Sequence, residues 1–353
     1  MRLDVVRLFV LADAGVRALP EPVARAAFDL VAIGAWAARV GGVRQLERNL
    51  SRVRPDVGRA GLLRLSLAGM RAYMRYYCES FRLPALGPDD LAARVRATGD
   101  GAIREALTMG SAVLALGHTG NWDLAGAWAT KFLGPVVTVA EHLEPEEIFQ
   151  GFLEFRTSLG MTIIPLEKDG STFRELLRHT RGSASVVPLL ADRDLSRTGV
   201  DVDLLGHRAR FAPGPAALAL ATGRPLFVAT IRHERLRGAR RRAAGTGWGI
   251  AIEFVEVWPG SAPGAPRPSV AELTQRWVDA VASGVAAHPD QWHMLQKVFL
   301  ADLDPDRLAR QAAPRPTPDG GTATPPDGRG NETPPDGREN ETPADGAPAA
   351  GGR

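Results

Sequence analysis

Between residues 111 and 258, short apolar runs take turns with amphipathic segments. Residues 113–116 (VLAL) are too few for a helix and suit a strand buried on both faces. A helix is expected to begin near Asn121. Val136–Ala140 then reads as strand, 145–159 as helix, 162–165 as strand, 171–180 as helix, 185–190 as strand, 215–222 as helix and 225–231 as strand. Trp248–Trp258 (WGIAIEFVEVW) alternates with period two and predicts a further strand, and Val270–Ala287 has the period of an amphipathic helix. Residues 288–299 close the domain. This order predicts an α/β fold with a central, mostly parallel sheet flanked by helices on both faces.

The chain before this core has a different pattern. Residues 1–20 mix charges into an apolar background and read as helix, with no secretory cleavage site after them. Pro22 starts a second helix whose most apolar part is 26–38 (AAFDLVAIGAWAA). That part contains Asp29 and falls short of the roughly 20 apolar residues a membrane span needs, so it fits an interfacial or a core helix. From Arg39 to Arg82 arginines crowd the sequence, opposed by Glu47, Asp56 and Glu79. Beside amphipathic helices, such a run suits an anionic membrane surface, where each basic residue contributes about 1 kcal/mol. No nucleic-acid-binding motif accompanies it. Residues 71–84 (RAYMRYYCESFRLP) gather Tyr73, Tyr76, Tyr77 and Phe81 on what reads first as a core helix. Residues 235–247 read as an exposed basic loop. From about Gln311, Pro, Gly, Asp and Asn dominate, and TPPDGRGNE at 324–332 recurs as TPPDGRENE at 333–341. The expected organisation is one domain over 1–310, with a helical membrane-associating part at 1–84, an α/β core at 110–300 and a disordered tail at 311–353.

Composition narrows the chemistry. The apolar fraction of 44% and the charged fraction of 24% are those of an ordinary globular core. Cys78 is the only cysteine, so no intrachain disulfide can form and a cytosolic setting is natural; it reads as a packed helical residue. His288 and His293 lack zinc-site spacing, so no protein-bound metal is expected. Walker A, GxGxxG and GxSxG patterns are absent, which argues against a P-loop, a dinucleotide fingerprint and a serine nucleophile elbow.

The chemistry concentrates in residues 111–128, SAVLALGHTGNWDLAGAW. Gly117 and Gly120 bracket His118, allowing a sharp turn with room for substrate. Asn121 is a candidate N-cap, which puts Asp123 in the first helical turn. An imidazole and a carboxylate across such a turn can hydrogen-bond. The acid would then fix the tautomer and stabilise the charged ring formed on proton abstraction. The His-x4-Asp spacing alone is weak, and its strength comes from lying at the carboxyl end of a strand, where open α/β sheets bind ligands.

This HTGNWD stretch resembles the HX4D motif of the glycerolipid acyltransferase superfamily. The longer run resembles the lipid A-type acyltransferase family, and within it the actinobacterial phosphatidylinositol mannoside acyltransferases. Further stretches carry the likeness: RYYCESFRLP (75–84), VVPLLADRDLS (186–196), GHRARFAPGPAALALATGRPLF (206–227) and HPDQWHML (288–295). It covers about residues 1–300. The resemblance implies transfer of a fatty acyl group, typically palmitoyl, from acyl-CoA. The acceptor it implies is the 6-hydroxyl of the mannose on inositol position 2 of a phosphatidylinositol mannoside. It also implies a peripheral protein on the cytoplasmic face of the inner membrane that uses no metal or other cofactor. By position, His118 is the general base and Asp123 its partner. Glu141 and Arg156 line the substrate groove. Asp192 matches a carboxylate that contacts the histidine, where the family commonly has Glu, one methylene longer. Arg193 beside it is assigned to substrate binding. His142, His179, His207, His233 and His293 read as structural or surface residues. Pro213-Gly214-Pro215 reads as a strand-to-helix turn whose helix N-terminus offers a phosphate site. The alternatives are a lipid acyltransferase with a lysophospholipid or other glycolipid acceptor, an acyl-CoA thioesterase in which His118 activates water, and a non-catalytic membrane-binding protein.

Overall fold

The computed structural model describes residues 15–303 apart from 17, 143–145, 168 and 195–197. Most of the helix expected at 1–20 and the whole of the tail expected at 311–353 lie outside the described residues. Three helices come first: α1 (Glu21–Ala37), α2 (Val43–Val53) and α3 (Arg59–Arg82). α4 (Pro88–Arg94), β1 (Val95–Thr98) and α5 (Asp100–Met109) lead into β2 (Ala112–Leu116). Next come α6 (Trp122–Phe132), β3 (Val136–Ala140), α7 (Glu146–Ser158), β4 (Met161–Pro165), α8 (Ser171–Arg181) and β5 (Val186–Leu190). The hairpin β6 (Val200–Leu204) and β7 (His207–Phe211) follows, then α9 (Gly214–Thr222), β8 (Leu226–Arg235), α10 (Gly238–Ala244), β9 (Trp248–Trp258) and α11 (Val270–Ala287).

The main sheet has seven strands in the order β1-β9-β8-β2-β5-β3-β4. The run from β8 to β4 is parallel; β9 pairs antiparallel with β8, and β1 runs parallel to β9. β2 lies between β5 and β8, which explains why all of AVLAL is buried. Its alternate residues feed two different cores, as the period of a strand requires. Val113 and Ala115 join Leu176 of α8, Ala216 and Leu218 of α9, and Leu273, Trp277 and Val281 of α11. Ala112, Leu114 and Leu116 join Leu91 of α4, Ile103 of α5, and Leu124 and Trp128 of α6 on the other face. The sheet is thus covered on both sides.

Three elements depart from the sequence reading. β1 is only VRAT, an edge strand whose polar residues hide its pairing. The hairpin β6–β7 alternates charge with Val202, Leu204, Ala209 and Phe211, and those four enter the core under α11. α10 forms within the stretch expected to be a basic loop.

At the N-terminal end α2 is bolted to the closing segment. Asn49 is fully buried, and its amide donates to the carbonyls of Met294 (2.7 Å) and Gln296 (2.9 Å). Arg52 meets Asp302 with two bonds of 2.6 Å. Replacing Asn49 by Ala strands the buried Met294 carbonyl and leaves that of Gln296 to solvent, and is expected to lower the unfolding free energy by about 1–3 kcal/mol. Urea denaturation checks this against Arg54→Ala, which removes only the exposed pair with Asp56 and should shift the midpoint little.

Candidate active site

The site is built on the turn between β2 and α6. Asn121 caps α6, its Oδ1 accepting from the Leu124 amide at 2.9 Å, as its position in the sequence predicts. Gly120 has φ +58°, and a Cβ there would lie 2.6 Å from the Ile231 carbonyl oxygen, so only glycine fits against β8. The closing segment pins the same turn from the other side. Gly120 donates to the Gln291 carbonyl (3.0 Å), and the His293 amide donates to the His118 carbonyl (2.8 Å).

His118 is oriented by Asp192, at the end of β5. Its Nδ1 lies 2.6 Å from Asp192 Oδ1, and its backbone amide donates to Oδ2 at 2.9 Å. The Trp292 indole N–H donates to the same Oδ2 at 2.9 Å. Asp192 is fully buried, whereas the His118 side chain remains 37% exposed. Burial works against ionisation of Asp192, but the charge and hydrogen bond of His118 and the indole bond hold its carboxyl below the usual range. Packing around the ring likewise disfavours imidazolium, but Asp192 outweighs it and raises the His118 pKa. Arg193 opposes that rise and Glu141 assists it, so both predicted groove residues stand close enough to act on the ring. With the Nδ1 proton given to Asp192, Nε2 is the basic nitrogen. The shorter aspartate reaches the ring because Gly117 lies under it: a Cβ at Gly117 would stand 3.3 Å from Asp192 Oδ2.

The role expected for Asp123 is corrected by this arrangement. Both of its oxygens are committed elsewhere, Oδ2 accepting from the Tyr76 hydroxyl (2.7 Å) and Oδ1 from Arg156 Nε (2.9 Å). Asp123 points down the first turn of α6 into the protein, while the tautomer of His118 is fixed from β5. Arg156, on α7, is brought to this carboxylate, which raises its pKa despite burial. Burial and then Asp123 raise the Tyr76 pKa, so Tyr76 remains a donor.

α3 supplies a second contact to the turn. Buried Glu79 accepts from Asn121 Nδ2 (2.8 Å) and Arg25 Nη1 (2.9 Å), with His233 Nε2 at 3.2 Å. Burial resists its ionisation, but His233, Arg25 and Asn121 keep its pKa low. Glu79 also orients the cap, because an amide donating through Nδ2 must turn Oδ1 toward Leu124. His233 and His293 are buried and structural, as expected, with burial pushing His293 down to about 3. The sequence reading gave Tyr76, Glu79 and Trp292 no part in the site. All three lie in the stretches that carry the family resemblance, and the reason is now visible: those stretches converge on one turn.

A narrow pocket lies next to this turn, between α6 and the sheet. Leu114, Leu116, Met161, Ile231 and Phe254 typify its apolar wall, and Asp123 and Arg156 are the charged residues that line it. Trp122, at its edge, stands T-shaped to the His118 ring with centroids 5.4 Å apart. The His118 imidazole therefore stands beside an apolar pocket with a polar end.

Comparison with known proteins fits this geometry. The model of the bacterial lipid A biosynthesis acyltransferases matches residues 4–301. The phosphatidylinositol mannoside acyltransferase of Mycolicibacterium smegmatis is 39% identical over 302 residues, 84% of this chain and 91% of that protein. The protein of that name from Mycobacterium tuberculosis H37Rv is 41% identical over 298 residues, 84% of this chain and 88% of its own length.

Because the base must be neutral, activity is expected to fall as pH drops through a pKa above 6.5. Asp192→Asn removes the charge that raises this pKa and can invert the tautomer. The expected result is a 10²–10⁴-fold loss of kcat with the acid limb of kcat/KM moved to lower pH, read from a pH–rate profile. Asp123→Asn keeps the His118–Asp192 pair, so the acid limb should stay in place while kcat/KM falls.

Proposed function

The chain belongs to the bacterial lipid A biosynthesis acyltransferase family and is an acyltransferase; from that premise we propose that it moves a fatty acyl group from acyl-CoA to a phosphatidylinositol mannoside. The observation that carries this reading is the buried Asp192 behind His118, set beside an apolar slot. Palmitoyl is the acyl group we assign, and the 6-hydroxyl of the mannose on inositol position 2 is the acceptor atom.

In this mechanism His118 Nε2 takes the proton of the mannose hydroxyl as its oxygen attacks the thioester carbonyl carbon. A sugar hydroxyl ionises far above neutral pH, so a base poised near 7 is needed. Asp192 stabilises the imidazolium through Nδ1. The tetrahedral intermediate collapses, the carbon–sulfur bond breaks, and the departing CoA thiolate recovers the proton from Nε2. The acyl chain occupies the slot under α6. Arg156, held by Asp123 and Tyr76, marks the polar end of that slot and positions the thioester. Glu141 and Arg193 flank the imidazole on the acceptor side. Neither a metal nor a side-chain nucleophile is required.

A membrane seat on the cytoplasmic face completes the reading. No helix among the described residues is long and apolar enough to cross a membrane. α1 is apolar on two sides: Ala24 and Ala32 are buried against α2 and α3, and a second apolar stripe is left exposed. Its charged residues Arg25 and Asp29 are paired with Glu79 and Arg71 of α3, and Glu21 with Arg94 of α4. Its exposed side is apolar, with Leu30 at 69%, Val31 at 57% and Val23 at 50% exposure. Exposed Arg44, Arg48 and Arg64 on the next two helices add the charge that anionic lipid attracts.

Incubation of purified protein with radiolabelled palmitoyl-CoA and a panel of lysophospholipids and mannosylated inositol lipids tests the assignment. Label is expected in the mannosylated lipid and lost with His118→Ala. Label confined to a lysophospholipid would reject the acceptor, and hydrolysis unaffected by any acceptor would favour a thioesterase. In vesicle flotation, Leu30→Glu with Val31→Glu should weaken binding at least tenfold, since each loses apolar burial worth about 1.5–3 kcal/mol.

A further inference from the structure

Trp248, the first residue of β9, pairs in register with Arg235, the last of β8. The Arg235 guanidinium carbon lies 3.8 Å from the Trp248 ring centre, and that of Arg75, reaching over from α3, lies 3.6 Å away. Two groups so close to one centroid must occupy opposite faces of the indole. Neither arginine has a hydrogen-bond or ion-pair partner among the described residues, unlike Arg25, Arg52, Arg71, Arg94, Arg96, Arg156 and Arg240. The acids nearby are already taken: Asp29 is bonded to Arg71, and Glu79 to Arg25, Asn121 and His233. Both acids act on Arg75 from a distance, and Arg235 acts against it. Two like charges are thus held together on an aromatic brace, with their N–H edges uncommitted.

The position is informative. β8 passes the catalytic turn at Ile231, whose amide meets Thr119 Oγ1, and Arg235 follows four residues later. At about 3.3 Å per residue that is roughly 13 Å along the same sheet edge, toward α1. We propose that Arg75 and Arg235, braced on Trp248, form a phosphate site that takes the phosphodiester of the acceptor lipid. The inference rests on the acyl-transfer reading above and adds the group by which the acceptor is recognised.

The chemistry suits the task. A planar guanidinium offers paired donors to phosphate oxygens, and stacking fixes its orientation before the ligand arrives. Arg75 is half-buried and lowered to about 10 by burial, so it remains charged at neutral pH while gaining from an anion. The stack stands near α1, whose Asp29 feels the charge of both Arg75 and Arg235. The inositol and mannose rings in series then bridge toward His118.

The test compares a mannosylated inositol lipid with a phosphate-free mannosyl diacylglycerol as acceptors, and titrates glycerophosphoinositol by calorimetry. The protein is the full chain, as wild type, Arg235→Ala and Arg75→Lys. Wild type should favour the phosphate-bearing acceptor by about tenfold or more in kcat/KM. Arg235→Ala, at an exposed position that folding tolerates, should abolish that preference by raising KM for the phosphate-bearing lipid. Its KM for acyl-CoA and its rate on the phosphate-free acceptor should not move. Arg75→Lys, which keeps the charge but not the planar fork, should lose part of the glycerophosphoinositol affinity of wild type. A preference that survives in Arg235→Ala overturns the site, as does a rise in the acyl-CoA KM instead of the acceptor's. Glycerophosphoinositol binding that Arg235→Ala abolishes, in a protein that acylates no mannosylated lipid, upholds the site and rejects the acceptor assignment alone.

Discussion

A single carboxylate with no access to water governs this fold's working end. Asp192 cannot remain ionised in the interior unless its lone pairs are met, and three donors meet them: the His118 ring, the His118 amide and the Trp292 indole. Those donors come from the turn after β2 and from the segment after α11, and the acceptor comes from the end of β5. Satisfying one charge therefore forces three distant pieces of chain together. The product of that convergence is an imidazole with one nitrogen spoken for and the other open.

The strand–turn–helix unit carrying His118 was legible because its signals are local. A short apolar run, two glycines and an N-capping asparagine each act within a few residues. The α/β class was legible for the same reason, from period and order. The identity of the histidine's partner was not. Asp123 lies five residues from His118, but its oxygens face Tyr76, 47 residues upstream, and Arg156, 33 residues downstream. Asp192 lies 74 residues away and carries the orienting bond. Sequence spacing measures distance along the chain, while hydrogen bonds are decided by distance across the sheet. The family resemblance supplied what spacing could not by pointing to Asp192, and Gly117 explains how the shorter acid reaches.

α1 shows the same limit from another side. Its period marks it as amphipathic but does not say which stripe faces inward. A helix normally turns its charges to water. Here Ala24 and Ala32 pack against α2 and α3 while Glu79 and Arg71 of α3 satisfy the charges beside them, which leaves a second apolar stripe outside. The two readings left open by the sequence, interfacial and core helix, differ only in what α3 presents.

The ion pairs of α1 tie that helix to the turn that carries His118. Arg25 of α1 is one of the groups that keep Glu79 ionised, and Glu79 in turn aims the amide that caps α6. Grafting a foreign helix in place of α1 would leave an orphan charge in the interior, one bond removed from the helix that starts at the His118 turn. The two ends of that relay are one inheritance, and the chain can drift in the exposed apolar residues of α1 far more freely than in the charges hidden behind them.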